Sequence, residues 1–363
     1  MKKILTSESV NIGHPDKSMD VLADAFLDEA LRQDPKAQMA VECAIKDDLL
    51  MIYGEATTTA QIDFSYIANK LLTEVIGYNK PFRVIQQISE QSADINSAVV
   101  QDELRANDQG IVYGYATNET PELMPLPIII AHKLMMKYEE FRKGRTDFFA
   151  DAKSQVSVEY DDNDKPKAIA TVLVSASHGI DLTKETVRNT IAEEVISPIL
   201  AEYADLIAAD TELIVNPSGR FTIWGSYADS GCVGRKTQVD AYGTLTRHGG
   251  GAFSSKNGTK VDRSGAYYAR YVAKNIVAKD FADKCEIAVS YGIGLAEPLS
   301  IYIETFGTHK QPLAKIEQYV KKNFDFRPAN IIKELGLWKP IYMPTACYGH
   351  FGREEFPWER IKQ

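Results

Sequence analysis

Several things that the sequence lacks narrow the class of protein before any motif is considered. Among the 363 residues there are only four cysteines, and no two of them form a Cys-x-x-Cys pair. A zinc site or a disulfide framework is therefore not expected, and a reducing cytoplasm is the predicted compartment. No apolar run approaches the roughly 20 residues needed to cross a bilayer, and no signal-peptide apolar stretch follows the two N-terminal lysines.

An excess of positive charge is also missing. The chain has 41 Lys and Arg residues against 50 Asp and Glu residues, a formal net charge of −9. A protein that coats nucleic acid needs a dominant basic surface, so that class is disfavoured. At roughly 100–200 residues per domain, the length predicts two or three domains. Any anionic ligand must be met by a local basic cluster that works against the overall charge.

The common nucleotide and hydrolase motifs are absent as well. There is no G-x-x-x-x-G-K-[ST], no H-E-x-x-H and no G-x-S-x-G. The segment Gly-Ile-Gly-Leu-Ala-Glu at 292–297 lacks the last glycine of a dinucleotide fingerprint and precedes a predicted strand. P-loop, Rossmann, zinc-protease and serine-hydrolase functions are therefore disfavoured.

A repeated order of elements runs along the chain. Apolar residues at helical spacing predict a helix over 16–33, two strands over 37–45 and 49–56, and a second helix from about 59 that Gly77 ends. The same order recurs over 127–143, 155–160, 168–175 and about 182–200, and again over 262–278, 285–291, 300–305 and 311–322. We interpret the repeat as three similar α+β domains, each a mostly antiparallel sheet with helices on one face.

The repeat places the predicted domains at 1–97, 105–222 and 224–359, and it leaves open an exchange of strands between them. Two stretches, 90–104 and 221–260, are long, rich in glycine or polar residues and weakly periodic. Loops of that length inside a compact chain are often functional.

The first segment that indicates chemistry is Gly-His-Pro-Asp-Lys at 13–17, just before the first helix. Proline suits a helix entrance, and a helix N-terminus favours anions. His14 and Lys17 add donors there, and Asp16 offers oxygen to a hard cation such as Mg²⁺. The simpler alternative is that Asp16 caps the helix and His14 is an ordinary surface residue.

The second segment is Arg-His-Gly-Gly-Gly-Ala-Phe-Ser-Ser-Lys at 247–256, followed by Lys-Val-Asp-Arg at 260–263. A glycine run lets the backbone approach a ligand closely. Lys256 and Lys260 bring positive charge to a helix start, where Asp262 supplies a second carboxylate, and Arg235 and Lys236 lie upstream. The alternative is a flexible loop with solvated charges. Together the two segments predict a polyphosphate site, since a triphosphate of about four charges needs Mg²⁺ and several Lys or Arg groups.

These motifs resemble one family along nearly the whole chain. The matching segments are 6–10, 13–17, 54–58, 91–95, 108–110, 115–120, 151–155, 216–221, 247–254 and 348–353. The family is S-adenosylmethionine synthetase, also called methionine adenosyltransferase. The resemblance implies three α+β domains about a pseudo-threefold axis. It also implies a homodimer, often paired into a tetramer, with active sites at the subunit interface.

The resemblance further implies the reaction: ATP and L-methionine give S-adenosylmethionine, and the tripolyphosphate is then cleaved to pyrophosphate and phosphate. Mg²⁺ and K⁺ are the implied ions, with neither nucleic acid nor membrane as a partner. Methionine's thioether sulfur is a nucleophile with no proton to lose, so the first step needs no general base. The chemistry then reduces to alignment and to charge stabilisation on the leaving group.

The family resemblance implies roles for the residues of this chain that stand at matching positions. Mg²⁺ ligands are expected at Asp16 and Asp262, and catalytic contacts to triphosphate at His14, Lys153, Arg235 and Lys256, with Lys236 beside them. Other ATP contacts are expected at Asp151, Arg220, Phe221, Asp229 and Ala252. Methionine contacts are expected at Glu55, Gln91, Asp108, Asp229, Lys260 and Ile293, a K⁺ ligand at Glu42, and a mobile loop over 91–101.

Simpler interpretations of single residues stay open beside these roles. Glu42 would be merely solvent-facing, and Phe221 and Ile293 would be plain core. His132 and His178 are expected on the surface of a helix and a turn, and Cys232 is expected to be a buried spectator.

The chain also departs from the family pattern. Trp224-Gly-Ser-Tyr227 stands where the family has Gly-Gly-Pro before the acidic residue, and the segment 78–90 is short. Ala93 and Asn107 replace a usual Pro and Gly. Two rival functions remain, an ATP-dependent enzyme that does not use methionine and an inactive regulatory homologue. Retention of the charged positions disfavours the second.

Overall fold

The computed structural model of the protein describes residues 2–91 and 103–362. Its strands, in chain order, are β1 Lys3–Val10, β2 Gln38–Lys46, β3 Leu49–Thr57, β4 Arg83–Ser89, β5 Gly110–Thr117, β6 Phe148–Tyr160, β7 Pro166–His178, β8 Ile207–Val215, β9 Gly231–Cys232, β10 Lys284–Tyr291 and β11 Ser300–Glu304. Its helices are α1 Pro15–Gln33, α2 Phe64–Lys70, α3 Leu126–Arg142, α4 Lys184–Ile191, α5 Ser197–Ala201, α6 Thr237–Asp240, α7 Val261–Ala278, α8 Leu313–Asn323 and α9 Pro328–Leu335. Pi-helical turns at Leu71–Ile76 and Ala192–Ile196 extend α2 and α4.

The strands form three sheets with the orders β4-β3-β2-β9, β1-β6-β7-β8 and β5-β10-β11. An antiparallel pair lies in each sheet: β2–β3, β6–β7 and β10–β11. Two of the sheets add a parallel strand on the far side, β4 beside β3 and β8 beside β7. The sheets are therefore mostly antiparallel, as the sequence predicts.

Each sheet also receives one strand from a distant part of the chain. β1 pairs with β6, β5 pairs with β10, and β9 pairs with β2, all antiparallel. The exchange is cyclic, because the first part of the chain completes the second sheet, the middle completes the third, and the last completes the first. This interlocking brings segments more than a hundred residues apart to shared edges.

One long helix covers the face of each sheet: α1 packs on β2 and β9, α3 on β6 and β1, and α7 on β5 and β10. The predicted apolar stripe of α1, including Met19, Leu22 and Phe26, is fully buried. Burial of a side chain of that size stabilises the fold by about 1.5–3 kcal/mol. The α+β class with three domains is confirmed. Most of the predicted helices and hairpins lie within a few residues of the observed ones, but β6 begins at Phe148 instead of 155 and α2 begins at Phe64 instead of about 59.

Two sequence-based expectations about histidines are wrong. His132 and His178 are predicted on the surface, yet both are buried. The Nδ1 atom of His132 lies 2.8 Å from the Oγ of Ser9, which arrives on the exchanged strand β1. Burial lowers the pKa of His132 to about 3. The sequence pattern around each histidine cannot reveal partners that come from remote strands.

Helix α1 carries charge into the core as well as apolar residues. Lys17 is buried and donates to Asp20 and Asp240. Asp24 accepts two hydrogen bonds of 2.7 Å from the guanidinium of Arg263 on α7, with both side chains fully buried. These pairs lock α1 to α7 and to α6, and an unpaired partner would carry a large desolvation penalty.

We predict that Asp24→Ala lowers the free energy of unfolding by about 3–5 kcal/mol, because it leaves the Arg263 guanidinium buried and unpaired. Denaturant unfolding followed by circular dichroism measures this loss. Glu29→Ala is the matched control on the same helix, since it removes an exposed ion pair with Arg32 and should cost no more than about 1 kcal/mol. Equal losses in the two variants would contradict the prediction.

Candidate active site

The N-terminus of α1 carries the first cluster of candidate residues. His14 is the residue before the helix, and its Nδ1 atom accepts a hydrogen bond of 3.2 Å from the backbone N–H of Asp16. Pro15 occupies the first helical turn, where a missing N–H costs nothing. Because Nδ1 is an acceptor, the neutral ring carries its proton on Nε2. His14 therefore caps the helix, and the alternative that Asp16 does so is wrong.

The carboxylate of Asp16 is buried and ties α1 to the loop after Asp229. Oδ1 accepts a hydrogen bond of 3.0 Å from the backbone N–H of Cys232, and Oδ2 accepts one of 2.7 Å from Nζ of Lys236. The guanidinium of Arg235 lies 3.5 Å from Oδ1. The exchanged strand β9 thus delivers two cations to the helix start.

His14 lies in a strongly positive environment. Burial, together with the charges of Lys153, Lys236, Lys17 and Arg235, lowers the pKa of the imidazole to about 2. The ring is therefore a neutral donor at every physiological pH. A neutral Nε2–H donor among cations can donate a hydrogen bond to an anion without a change in its own protonation state.

Asp151 lies beside this cluster on β6, at an irregularity between Phe148 and Ala152. Its Oδ2 accepts a hydrogen bond of 2.9 Å from the backbone N–H of Gly225, while Oδ1 is buried and has no partner among the described residues. Burial raises the pKa of Asp151 to about 6, and nearby Asp229 raises it as well. A buried, half-satisfied carboxylate is a typical ligand-binding group.

Phe221 is held by a residue that sequence reasoning assigned to the surface. The backbone N–H of His178 donates to the carbonyl of Phe221 at 2.9 Å, and the backbone N–H of Phe221 donates to Nε2 of His178 at 3.3 Å. Phe221 stays partly exposed, next to the exposed Arg220, so it is not plain core. Its ring is thus available for stacking.

The second cluster lies at the N-terminus of α7. The Nζ of Lys256 donates to Oδ2 of Asp262 at 2.6 Å. Gly251 lies directly against that carboxylate, where an added Cβ would come within 2.4 Å of the carboxyl carbon. This close approach explains a glycine at that position. Ala252, which follows it, packs near Gly234 of the first cluster's loop.

Lys260, just before α7, joins the second cluster. Burial lowers the pKa of its ammonium, and the charges of Glu55 and Asp108 act in the opposite direction. Glu55 on β3 is paired with Ala40, and Ala40 bridges to the backbone of Lys256. Three separate segments therefore bring Lys260, Glu55, Asp108 and Lys256 into one neighbourhood.

The remaining candidates are less constrained. Glu42 is partly buried and accepts a hydrogen bond of 3.2 Å from the hydroxyl of Tyr53, whose oxygen lies 3.9 Å from Sγ of Cys232. Cys232 is partly exposed rather than buried. Ile293 is half exposed and is not core. The backbone N–H of Gln91 donates to Thr57 at 3.4 Å, whereas the rest of the predicted loop, 92–101, lies outside the described residues.

Within one chain the candidates thus form two clusters. The hydrogen bonds and ion pairs given above for Asp16 stay with Cys232, Arg235 and Lys236, whereas those for Asp262 stay with Lys256. A cavity of about 1020 Å³ lies between β11 and α8, and none of the candidate residues lines it. The candidate site is therefore located by its charged and polar residues and not by the size of a cavity.

The two acidic positions fit Mg²⁺ only in one particular mode. Within 2–91 and 103–362, no group of three or more His, Cys, Asp or Glu side chains could hold a metal ion. Asp16 and Asp262 each offer one carboxylate, already paired with a lysine. Mg²⁺ is commonly bound by one or two carboxylates plus substrate phosphates, and this donor set suits that mode.

Comparisons with known proteins agree with this arrangement of segments. The descriptions "S-adenosylmethionine synthetase, N-terminal domain", "central domain" and "C-terminal domain" match residues 2–102, 103–221 and 223–360. An S-adenosylmethionine synthase from Oenococcus oeni is 48% identical over 381 aligned positions, covering 100% of this chain and 97% of the relative. The chain belongs to the S-adenosylmethionine synthetase family. It is an enzyme of that family, a methionine adenosyltransferase.

We predict opposite effects of Asp151→Asn on stability and on ATP use. The carboxyl has a pKa of about 6 in the folded protein against an ordinary 3.8. Its contribution to stability is complete below pH 4 or so and is lost as pH rises through about 6, so the ionised group destabilises the fold at pH 7.5. Asp151→Asn should therefore raise the free energy of unfolding at pH 7.5 by up to about 3 kcal/mol, while weakening ATP binding.

Chemical unfolding at pH 4 and pH 7.5 measures the difference, which should be small at the lower pH. Asp147→Asn is the control, because that exposed carboxylate has its pKa lowered by Arg145 and should give no gain. A variant at Asp151 that is less stable than the unaltered protein at pH 7.5 would contradict the prediction.

Proposed function

We propose that the protein makes S-adenosylmethionine by attack of the methionine sulfur on C5′ of ATP and then hydrolyses the tripolyphosphate to pyrophosphate and phosphate. The observation that supports this most is the cluster at the start of α1, where the neutral donor His14 is surrounded by Lys153, Arg235 and Lys236. Such a cluster suits a polyphosphate leaving group in a chain whose net charge is −9.

The bond changes of the first step balance without a base. The sulfur lone pair forms the S–C5′ bond, and the electron pair of the C5′–O bond leaves on the triphosphate oxygen. Because no proton moves, the side chains need only align the reactants and stabilise the charge. Alignment of the reacting atoms can supply roughly 7–11 kcal/mol. This accounts for a site built from cations, carboxylates and a neutral imidazole.

The residues at the start of α1 then act on the leaving group. Nε2–H of His14 donates to the oxygen on which charge develops, and Lys153, Arg235 and Lys236 balance the remaining phosphate charge. Mg²⁺, held by Asp16 and Asp262 together with phosphate oxygens, would neutralise further charge on the triphosphate. Asp151, Arg220, Phe221, Asp229 and Ala252 contact the nucleoside end, with adenine stacked on Phe221.

The second cluster supplies the methionine end. The α-carboxylate of methionine is met by Lys260, and its ammonium by Glu55, Asp108 and Asp229. Gln91 and Ile293 border the side chain. Lys256 reaches the triphosphate. The hydrogen bonds and ion pairs of Asp16 and those of Asp262 involve different residues within one chain, and the family resemblance implies sites at the subunit interface. Each complete site is therefore formed by the His14 cluster of one copy and the Lys256 cluster of another.

Further features belong to the same proposal. The protein is a homodimer or a dimer of such dimers, and Glu42 is a K⁺ ligand. The domain bounds are 1–97, 105–222 and 224–359. We place the protein in the cytoplasm, which its four free cysteines support. None of the helices within the described residues is long and apolar enough to cross a membrane.

Incubation of the purified protein with ATP, L-methionine, Mg²⁺ and K⁺ tests the function. The expected product is the sulfonium, detected by its mass, together with methionine-dependent release of pyrophosphate and phosphate. Release of phosphate that does not depend on methionine would instead support another ATP-dependent enzyme. Binding of ATP without any turnover would support an inactive homologue.

We predict that His14→Ala leaves ATP binding largely intact but lowers the rate of S-adenosylmethionine formation more than tenfold, the usual scale for a lost oxyanion donor being about 10²–10³. The reason is that Nε2–H acts mainly on charge that develops in the transition state. Single-turnover product formation and equilibrium ATP binding measure the two effects. Asn at this position keeps a cap and a donor and should recover part of the rate. Equal loss of binding and rate would contradict a transition-state role.

We also predict that Lys256→Ala raises the ATP concentration needed for half-maximal rate by roughly ten- to a hundredfold, since a charged contact to phosphate is worth roughly 1.5–3 kcal/mol. Initial rates over a range of ATP concentrations measure this shift. Lys315→Ala, on the exposed face of α8, removes the same charge away from the site and should have no effect. Unaltered kinetics in Lys256→Ala would show that this lysine does not contact ATP.

A further inference from the structure

Two departures from the family pattern meet in space. Trp224, in the loop after Phe221, stacks on Tyr78, the residue after the Gly77 helix cap, with ring centroids 4.6 Å apart and planes 22° apart. It also stacks on Phe149 of β6, with centroids 5.7 Å apart and planes 16° apart. The indole thus contacts two aromatic rings, one from the loop before β4 and one from β6.

The turn that follows the tryptophan is fixed by the same tyrosine. The backbone N–H of Ser226 donates to the hydroxyl of Tyr78 at 2.7 Å. Gly225 has a φ of +59°, and a Cβ at that position would lie 2.1 Å from the tyrosine oxygen. The serine hydroxyl also donates to the carbonyl of Asp47 at 2.7 Å. The Gly225–Ser226 peptide is therefore anchored from two directions and has no room to rotate.

The preceding peptide, which joins Trp224 to Gly225, directs a hydrogen bond to Asp151 at the nucleoside end of the proposed site. The N–H of Gly225 donates to Oδ2 of Asp151 at 2.9 Å, which leaves the buried Oδ1 unpaired. Asp151 lies two residues after Phe149 on β6, so the strand that carries the carboxylate also carries one wall of the stack. Tryptophan, turn and carboxylate form one connected unit.

We propose that Trp224 is a positioning residue: its stack between Tyr78 and Phe149 holds the Gly225 N–H on Oδ2 of Asp151 and so presents Oδ1 to the nucleoside. The inference rests on the proposed function in one respect, the contact between Asp151 and the nucleoside. A cavity of about 470 Å³ adjoins the stack, lined in part by Ile223, Tyr227 and Lys80. Without the indole, the turn would have space to move into that cavity and release the carboxylate.

Loss of the hydrogen bond from Gly225 to Asp151 should change the pH dependence of kcat/KM for ATP. The charged and titratable groups that face Asp151 are Lys153 on its own strand, Asp229 in the loop, Tyr78 beside the turn and Tyr138 on α3. The Gly225 hydrogen bond favours the carboxylate, so its loss raises the pKa of Asp151 further. The acidic limb of kcat/KM for ATP should then move to higher pH.

Trp224→Ala and Trp224→Phe test the proposal in the full-length enzyme. The alanine variant should raise KM for ATP by about tenfold with kcat within about threefold, because the nucleoside contact is equally strong in ground and transition states. The acidic limb of its kcat/KM profile for ATP should move to higher pH. The phenylalanine variant can stack on both rings and should stay within about twofold of the unaltered enzyme. Tyr227→Ala removes a neighbouring aromatic side chain that lines the same cavity. It should leave both KM for ATP and the acidic limb of kcat/KM unchanged.

A folded alanine variant with unaltered KM and pH limb would overturn the proposal, as would a phenylalanine variant as impaired as the alanine one. If the alanine variant does not fold, Trp224→Leu replaces it, since leucine fills space without stacking. Amide hydrogen exchange distinguishes failure of the positioning role of Trp224 from failure of the proposed function. Exchange at Gly225 should be slow in the unaltered protein and faster in the non-stacking variant even if the protein forms no sulfonium product, and equal exchange in both would refute the positioning role.

Discussion

The structure depends on one electrostatic constraint: a chain with a net charge of −9 must keep a small volume strongly positive. It does so at the start of α1, where Lys153, Arg235 and Lys236 surround a buried imidazole that cannot take up a proton. Because these cations come from β6 and from the loop after β9, the exchange of strands between sheets is what assembles them. Fold and chemistry are linked through that exchange.

The buried charges below the site serve the same constraint. Lys17 with Asp20 and Asp240, and Asp24 with Arg263, hold α1 against α6 and α7 and so fix the direction of its N-terminus. Such pairs bring little net stability compared with apolar side chains of similar size. Their effect on the geometry of the site is larger. The backbone N–H of Gly234 donates to Asp20 at 2.9 Å, and this contact helps to position Arg235 and Lys236, the next two residues.

Much of the fold could be predicted from local patterns. The apolar stripe of α1 and the alternation in β2, β3 and β10 are strong signals, and Gly77 caps its helix as expected with a φ of +100°. Exchange of strands between domains was anticipated, but the strands β1, β5 and β9 and their partners were not, because the partners lie far away in sequence, as in the pairing of Thr6 with Ser157. Buried polar residues such as His178 escaped for the same reason. The candidate site residues rest on the family resemblance and stay predictions, whereas the contact between Trp224 and Tyr78 is visible only in the structure.

The central claim is that each polyphosphate site is formed from two half-sites on different copies of the chain. Reassembly of His14→Ala subunits with Lys256→Ala subunits tests it most directly, because a mixed dimer would contain one intact site and one doubly defective site. At ATP concentrations well below the half-saturating value, where each variant alone should have about a tenth of the unaltered rate or less, the account predicts that the equimolar mixture regains about a quarter of the unaltered activity, since random pairing makes half of the dimers mixed. A mixture as inactive as either variant alone, with subunit exchange verified by mass, would contradict it.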